Sequence, residues 1–360
     1  MTDWFERLMG FREGGYAETR SRMVVEGRVL RSLVNGRSYG IGDLELVPLQ
    51  TLRERVRLHV LTVGTAPGRL QVSNLSGDVR AMHRLQENAG ALFQVASQFN
   101  LLEMVSSEVT PEDGVTRYQH DRTQGPACAM AAGAGTVYRN YFAPVGDGPA
   151  QALGQTRERQ LDGLADVGAA LAQALGRPTS ALWAMRNGYA LCTCAGLAAI
   201  AAHLDALDAD EADTLRGLLR IGIHQDVEMT DSVGPQRRVV SQAYCSALPV
   251  AYGRLPAPLW RTFAQFVLEA AYEATMCAAV LNARRGASNV VLLTRLGGGA
   301  FGNDDAWIDA AMHRALTKAA GYDLNVRLVS YGAPPRSMVE LAAAFQQAAE
   351  MTGCRPLLSN

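Results

Sequence analysis

The chain has 360 residues, enough for one large domain or two with a substantial core, and 48% hydrophobic with 19% charged residues is ordinary for a globular protein. A formal net charge of -1 gives no electrostatic footprint for nucleic acid or an anionic membrane, and no apolar run reaches the roughly 18 residues that a bilayer-spanning helix needs. Acidic residues at Asp3 and Glu6 argue against a signal peptide, and six scattered cysteines read as reduced thiols of a cytoplasmic protein. Cys192 and Cys194, with one residue between them, are too close for the usual zinc spacing, so neither a metal nor a cofactor is expected.

In chain order, residues 22–30 are predicted as a strand, and Asn35-Gly36 carries a hairpin-turn signal. An amphipathic helix is expected over 49–60, a loop over 63–68 and a strand over 70–75. None of this front section carries chemistry, and a supporting extension packed on the core is the expectation for residues 1–75. A short helix over 78–88 then precedes a buried strand at 91–100, whose far end is rich in uncharged hydrogen-bonding residues. Gln94, Ser97, Gln98 and Asn100 there must find partners in backbone, in side chains or in a ligand.

A surface loop at 109–114 leads to 121–136, where small residues let the backbone approach another group closely. Pro126 suits a first helical turn, so 121–128 is a second candidate loop-to-helix anion site. Residues 138–142 read as a strand with one embedded charge, Arg139, which needs a carboxylate or a phosphate beside it. From about 147 to 218 the pattern is helical and Ala-rich, an insertion rather than a separate domain. Strands at 219–224 and 238–244, a long amphipathic helix at 260–282, a strand at 324–331 and a last helix at 338–351 complete an α/β chain. Strands separated by helices imply a mostly parallel sheet.

The most informative stretch is 290–303. A β-branched apolar run is broken by Gly297, Gly298 and Gly299, then by Gly302, and a helix from about 304 follows with Asn303, Asp304 or Asp305 as its cap. A loop without Cβ atoms ahead of a helix N-terminus is a means of binding phosphate.

The order strand, long helix, apolar strand, glycine loop ending Ala300-Phe301-Gly302-Asn303, helix, strand resembles the second half of a macrodomain, the ADP-ribose-binding fold. The resemblance implies a macrodomain-like α/β fold over 76–360, with a mixed, mostly parallel sheet between helices, an N-terminal extension and a helical insertion. It further implies that Gly297, Gly298, Gly299, Ala300, Phe301, Gly302 and Asn303 wrap a diphosphate, with Phe301 lining the ribose. Asn100 would be the ribose-contacting amide, and Gln94, Gln98, Thr123, Gln124, Gly125 and Arg139 would complete the ligand site. This chain has Ser97-Gln98-Phe99-Asn100 where macrodomains have Asn-Ala-Ala-Asn. It also lacks the Gln-Glu-Glu of poly(ADP-ribose) glycohydrolases.

The function expected on these grounds is binding of ADP-ribose or an ADP-ribosylated macromolecule, with hydrolysis of an ADP-ribosyl glycosidic bond. The catalytic candidates are Glu103 and Asp121, because that cleavage needs a carboxylate at an oxocarbenium-like centre. Glu269 and Glu273, one turn apart on the long helix, read as an inter-helix or solvated pair. A non-catalytic ADP-ribose reader is the alternative, and a thiol hydrolase using Cys128 or Cys245 with His120 or His224 is a third. The loop lies too near the C-terminus, and in the wrong glycine order, for a dinucleotide-binding oxidoreductase.

Overall fold

Side chains of the central strands alternate between two helical layers, as period-2 burial requires. Val291 and Leu293 enter one apolar cluster, while Val290 and Leu292 enter another on the opposite face. The computed structural model describes residues 2–63, 68–146, 151–231 and 237–353.

The chain opens with helices α1 (Trp4–Met9) and α2 (Tyr16–Ser21), then β1 (Met23–Glu26), β2 (Val29–Ser32) and β3 (Ser38–Gly40). The strand expected over 22–30 is thus a hairpin, because Gly27 adopts a left-handed φ of 60° and turns the chain. The Asn35-Gly36 signal falls between β2 and β3, which pair antiparallel. Then come β4 (Asp43–Pro48), α3 (Leu49–Val63) and β5 (Gln71–Ser76). The expected loop after α3 falls mostly on residues 64–67, outside the described residues.

Next are α4 (Val79–His83), β6 (Leu92–Ala96), α5 (Gln124–Ala131), α6 (Gly133–Tyr141), β7 (Pro144–Val145) and β8 (Ala152–Leu153). The strand expected at 138–142 is instead the end of α6. The insertion, whose expected start at 147–150 lies outside the described residues, holds α7 (Ala165–Leu175) and α8 (Thr179–Leu182). It continues with a hairpin of β9 (Trp183–Arg186) and β10 (Tyr189–Cys192), then α9 (Cys194–Ala206) and α10 (Ala209–Arg216). The hairpin turns at Asn187 (φ 47°) and Gly188 (φ 79°), so the insertion is not wholly helical. The last third supplies β11 (Arg220–Glu228), β12 (Val239–Cys245), α11 (Ala257–Arg284), β13 (Val290–Leu293), α12 (Asp305–Lys318), β14 (Asn325–Ser330) and α13 (Arg336–Gly353).

The main sheet has the order β4-β11-β12-β6-β13-β14-β5. Pairs from β12 to β5 are parallel, and β11 pairs antiparallel with both β12 and β4. The expected α/β class, with a mostly parallel sheet between helices, is what the chain adopts. The first 75 residues supply both sheet edges, β4 and most of β5, so the expected boundary at residue 75 falls within β5. One helical layer is organised by α11, whose buried face includes Phe263, Phe266, Val267, Ala270, Ala271 and Ala274. α5 and α6 cover the other face. No helix among the described residues is long and apolar enough to cross a membrane.

Candidate active site

Strands β6 and β13 pair at Leu92–Val291 and Phe93–Leu292 and then part, while β6 stays paired with β12 as far as Ala96. A crevice opens between their carboxyl ends, where open α/β sheets hold ligands. Parting leaves Gln94 O and Ala96 N without a strand on that side. The Gln124 side chain takes both, its Nε2 donating to Gln94 O (2.8 Å) and its Oε1 accepting from Ala96 N (2.9 Å). The Gln94 side chain bridges the other way, accepting from Thr294 N (3.3 Å) and donating to Thr275 Oγ1 (3.0 Å). The crevice has a cavity volume of about 200 Å³.

One wall is the glycine loop. Gly297 and Gly302 have left-handed φ values of 75° and 69°, and a Cβ on Gly297 would lie 2.5 Å from the Ala247 Cβ. Those two positions therefore require glycine, whereas a Cβ on Gly299 would enter open space. The loop is closed internally by Gly298 N to Arg295 O (3.1 Å), Gly302 N to Gly299 O (3.0 Å) and Asn303 N to Gly297 O (2.9 Å). Asn303 also donates through Nδ2 to Leu248 O (2.9 Å). The N–H groups of Gly297, Gly299, Ala300 and Phe301 find no acceptor among the described residues, and these four residues line the crevice. Asp304 caps α12 by accepting from Ala306 N (2.8 Å). Arg295 is held by Asp305 and Asp309, each at 2.6 Å.

A second donor set comes from the start of α5. Thr123 makes no cap bond to the helix and donates its hydroxyl to Asp121 Oδ1 (2.7 Å), so the first-turn N–H groups of Gln124 and Gly125 are free of protein acceptors among the described residues. Gly125 must be glycine here, since a Cβ would stand 2.0 Å from Ala96 O. Free N–H groups at a helix start, together with the helix dipole, favour an anion.

Between these walls runs the segment from Ser97 to Met104. Gln98 staples it: its N–H donates to Leu102 O (2.9 Å), its carbonyl accepts from Leu101 N (3.0 Å), and its Oε1 accepts from Met104 N (2.7 Å). Leu101 pays for this tight path with a left-handed φ of 63°, a strain of roughly 1 kcal/mol or more for a residue with a Cβ. The path carries Glu103 into the crevice lining with its side chain 1% exposed. Glu103 Oε1 lies 3.3 Å from Arg139 Nη2, and Glu103 Oε2 is buried with no hydrogen-bond partner. Burial pushes the carboxyl up to about 7, against the lowering effect of Arg139 and the Tyr118 hydroxyl. A buried carboxylic acid held near neutrality in the lining of a cleft, with one oxygen unpartnered, is a candidate for proton transfer.

An aromatic trio completes the lining. Tyr189 from β10, Tyr252 from the turn after β12 and Phe301 from the glycine loop have ring centroids 5.1–5.5 Å apart. The Tyr189 hydroxyl donates to Met104 O (2.6 Å), and Phe99 N donates to Gly188 O (3.0 Å), so the insertion hairpin buttresses the Glu103 segment.

Of the residues singled out from the sequence, Gln98, Glu103, Asp121, Thr123, Gln124, Gly125, Gly297, Gly299, Ala300 and Phe301 line the crevice. Gln94, Asn100, Arg139, Gly298, Gly302 and Asn303 are not among its lining residues. Asn100, expected at a ribose, is fully buried and donates to Gln160 Oε1 (2.8 Å), and Gln160 in turn donates to Asn187 at the hairpin tip. Its amide docks the insertion. Arg139, expected in a strand beside a phosphate or carboxylate, sits on α6 against Glu103. Tyr189 and Tyr252 went unnoticed in the sequence, although Asn187-Gly188 before Tyr189 is the same turn signal as Asn35-Gly36.

The thiol alternative fails on burial. Cys128 is the fifth residue of α5, beyond the first turn, and burial holds its thiol well above the ordinary value. Burial likewise pushes Cys245 up to about 12 and His224 down to about 3. His120 contacts Gln119 on an exposed turn. Neither cysteine is set up as a thiolate. Glu269 and Glu273 are inter-helix ion-pair partners, of Arg216 and of Arg53, Arg314 and Lys318 respectively.

No family model matches the chain, and no curated protein matches it. Among solved structures, it is similar to the poly(ADP-ribose) glycohydrolase of Deinococcus radiodurans in complex with ADP-ribose, at 15% identity over 94% of this chain and 99% of that one, with a TM-score of 0.41. It is similar also to the poly(ADP-ribose) glycohydrolase of Thermomonospora curvata bound to the inhibitor ADP-HPD, at 15% identity over 91% and 94%, with a TM-score of 0.40. A likeness this distant transfers no function.

Proposed function

We propose that the crevice binds ADP-ribose, free or attached to a macromolecule, and hydrolyses the glycosidic bond of the attached form. One observation carries the reading: unpaired backbone donors from the glycine loop and the α5 start share a crevice lining with Glu103, one oxygen of which has no partner. Donors without acceptors suit a diphosphate. The aromatic trio offers flat apolar faces to a nucleoside, and the Ala300-Phe301-Gly302-Asn303 ending resembles a macrodomain diphosphate loop.

In the reaction, protonated Glu103 donates its proton to the leaving oxygen as the bond from that oxygen to the ribose C1″ breaks. Water then adds to C1″ and gives up a proton to the Glu103 carboxylate, which restores the acid. Asp121, the second carboxylate of the lining, keeps Thr123 in place. The neutral form of Glu103 is the acid, so turnover falls as pH rises above about 7.

The absence of paired glutamates after a glycine triplet favours a second reading, a binder without chemistry. Calorimetric titration with ADP-ribose, for wild type and Gly297→Ala, tests the ligand. Wild type is expected to bind and the variant to lose at least about tenfold in affinity, because its Cβ collides with Ala247. Absence of heat with the wild type at millimolar ligand removes both readings. Incubation with ADP-ribosylated protein then separates them: release of ADP-ribose by wild type and its loss in Glu103→Gln marks the hydrolase.

A further inference from the structure

We infer that Arg139 is a positioning residue for Glu103: it ties one carboxylate oxygen back into the protein and leaves the other without a partner. This rests on the reading of Glu103 as the acid of the site.

Arg139 is itself fixed before it meets Glu103. It is fully buried on α6, its Nε donates to Leu101 O (3.0 Å), its Nη2 donates to Thr136 Oγ1 (3.1 Å), and its guanidinium lies 3.8 Å from the centroid of the Tyr244 ring. The Leu101 carbonyl belongs to the residue held at left-handed φ, so the turn that carries Glu103 and the anchor of Arg139 are one construction. From that anchor Arg139 reaches Glu103 through one contact of 3.3 Å, longer than the roughly 2.8 Å of a tight guanidinium–carboxylate bond. Its Nη1 is buried without a partner, as is Glu103 Oε2.

A forked pair at short distance would favour the ionised carboxylate more strongly and so reduce the fraction that carries a proton to donate. One long contact steadies the group without saturating it.

The surroundings add no second cation. From the turn Thr116–His120, the Tyr118 hydroxyl accepts from Glu103 N (3.0 Å). α5 presents the buried Cys128 thiol, β12 presents Tyr244, and β11 presents His224, which burial and Arg139 keep neutral. Among the described residues, Arg139 is the one cation acting on Glu103.

The test is titration of the Glu103 carboxyl in the full chain by carbon-13 NMR, assigned with Glu103→Gln, alongside the pH dependence of kcat. Arg139→Gln is expected to raise the carboxyl midpoint by roughly one pH unit or more and to move the falling limb of kcat in the same direction, since a neighbouring positive charge favours the ionised form. ADP-ribose affinity stays within about threefold, because Arg139 does not line the crevice. Arg139→Lys keeps the charge, restoring the midpoint to within about half a unit, but cannot hold Leu101 and Thr136 together, so kcat falls about tenfold. An unchanged midpoint in folded Arg139→Gln, or wild-type kcat in Arg139→Lys, overturns the proposal. Where Arg139→Gln does not fold, Arg139→Lys decides by its kcat. If the wild type releases no ADP-ribose, the hydrolase reading fails, while the carboxyl titration still shows whether Arg139 governs Glu103.

Discussion

Two buried glutamates face opposite fates in this molecule. Glu273, 5% exposed on α11, meets Arg53 Nε at 2.6 Å, Arg314 Nη1 at 2.5 Å and Lys318 Nζ at 2.9 Å. Burial raises its proton affinity, but the hydrogen bonds from Arg53, Lys318 and Arg314 overcome that and bring it down to about 2. Glu103, 1% exposed, has one cation at 3.3 Å and stands at about 7. Low surface exposure alone is therefore not what separates the two carboxylates. The number and distance of compensating partners is, and a group left under-compensated at a cleft is the one able to exchange a proton.

Breaking the two centres separates them. Glu103→Gln should lower turnover by roughly 10³-fold while melting temperature holds or rises, measured by ADP-ribose release and by thermal unfolding. Glu273→Gln should show the reverse: about 2 kcal/mol of lost stability, discounted because its cationic partners are 24% to 42% exposed, with turnover per folded molecule unchanged.

Their pH windows also oppose each other. Glu103 has a folded value raised from 4.5 to about 7, so its contribution to stability is full below about 4.5 and is lost as pH rises towards 7. Glu273 has a depressed folded value, so its contribution is full above 4.5 and is lost as pH falls towards about 2. Denaturant unfolding across pH should show the upper slope flattened in Glu103→Gln and the lower slope in Glu273→Gln. The smallest effect is expected for Arg314→Leu, under about 1 kcal/mol, because Arg53 and Lys318 remain on Glu273. A larger loss there would mean that the cluster acts as one unit rather than as redundant pairs.

Legibility in the sequence followed how local the chemistry is. The glycine loop could be read directly, since strand, left-handed glycines and the Asp304 cap are contiguous. Arg139 reads as a strand residue because α6 is buried nearly all round, polar residues included: Arg139 and Asn140 lie inside with Gly133, Ala134 and Val137, so no exposed polar face marks the helix. Its partnership with Glu103 spans 36 residues and no period announces it. The role of Asn100 in docking the insertion depends on Gln160, 60 residues on, and was equally hidden. The β9–β10 hairpin was not hidden, because Asn187-Gly188 carried the signal that had been used at Asn35-Gly36.

The Gln124 side chain has one more consequence. By occupying Gln94 O and Ala96 N, it plugs the slot where an incoming extended peptide would otherwise lengthen the sheet. Main-chain pairing is closed at this point of the crevice. Under the proposed function, a protein carrying the sugar would gain no main-chain pairing with β6 at that point.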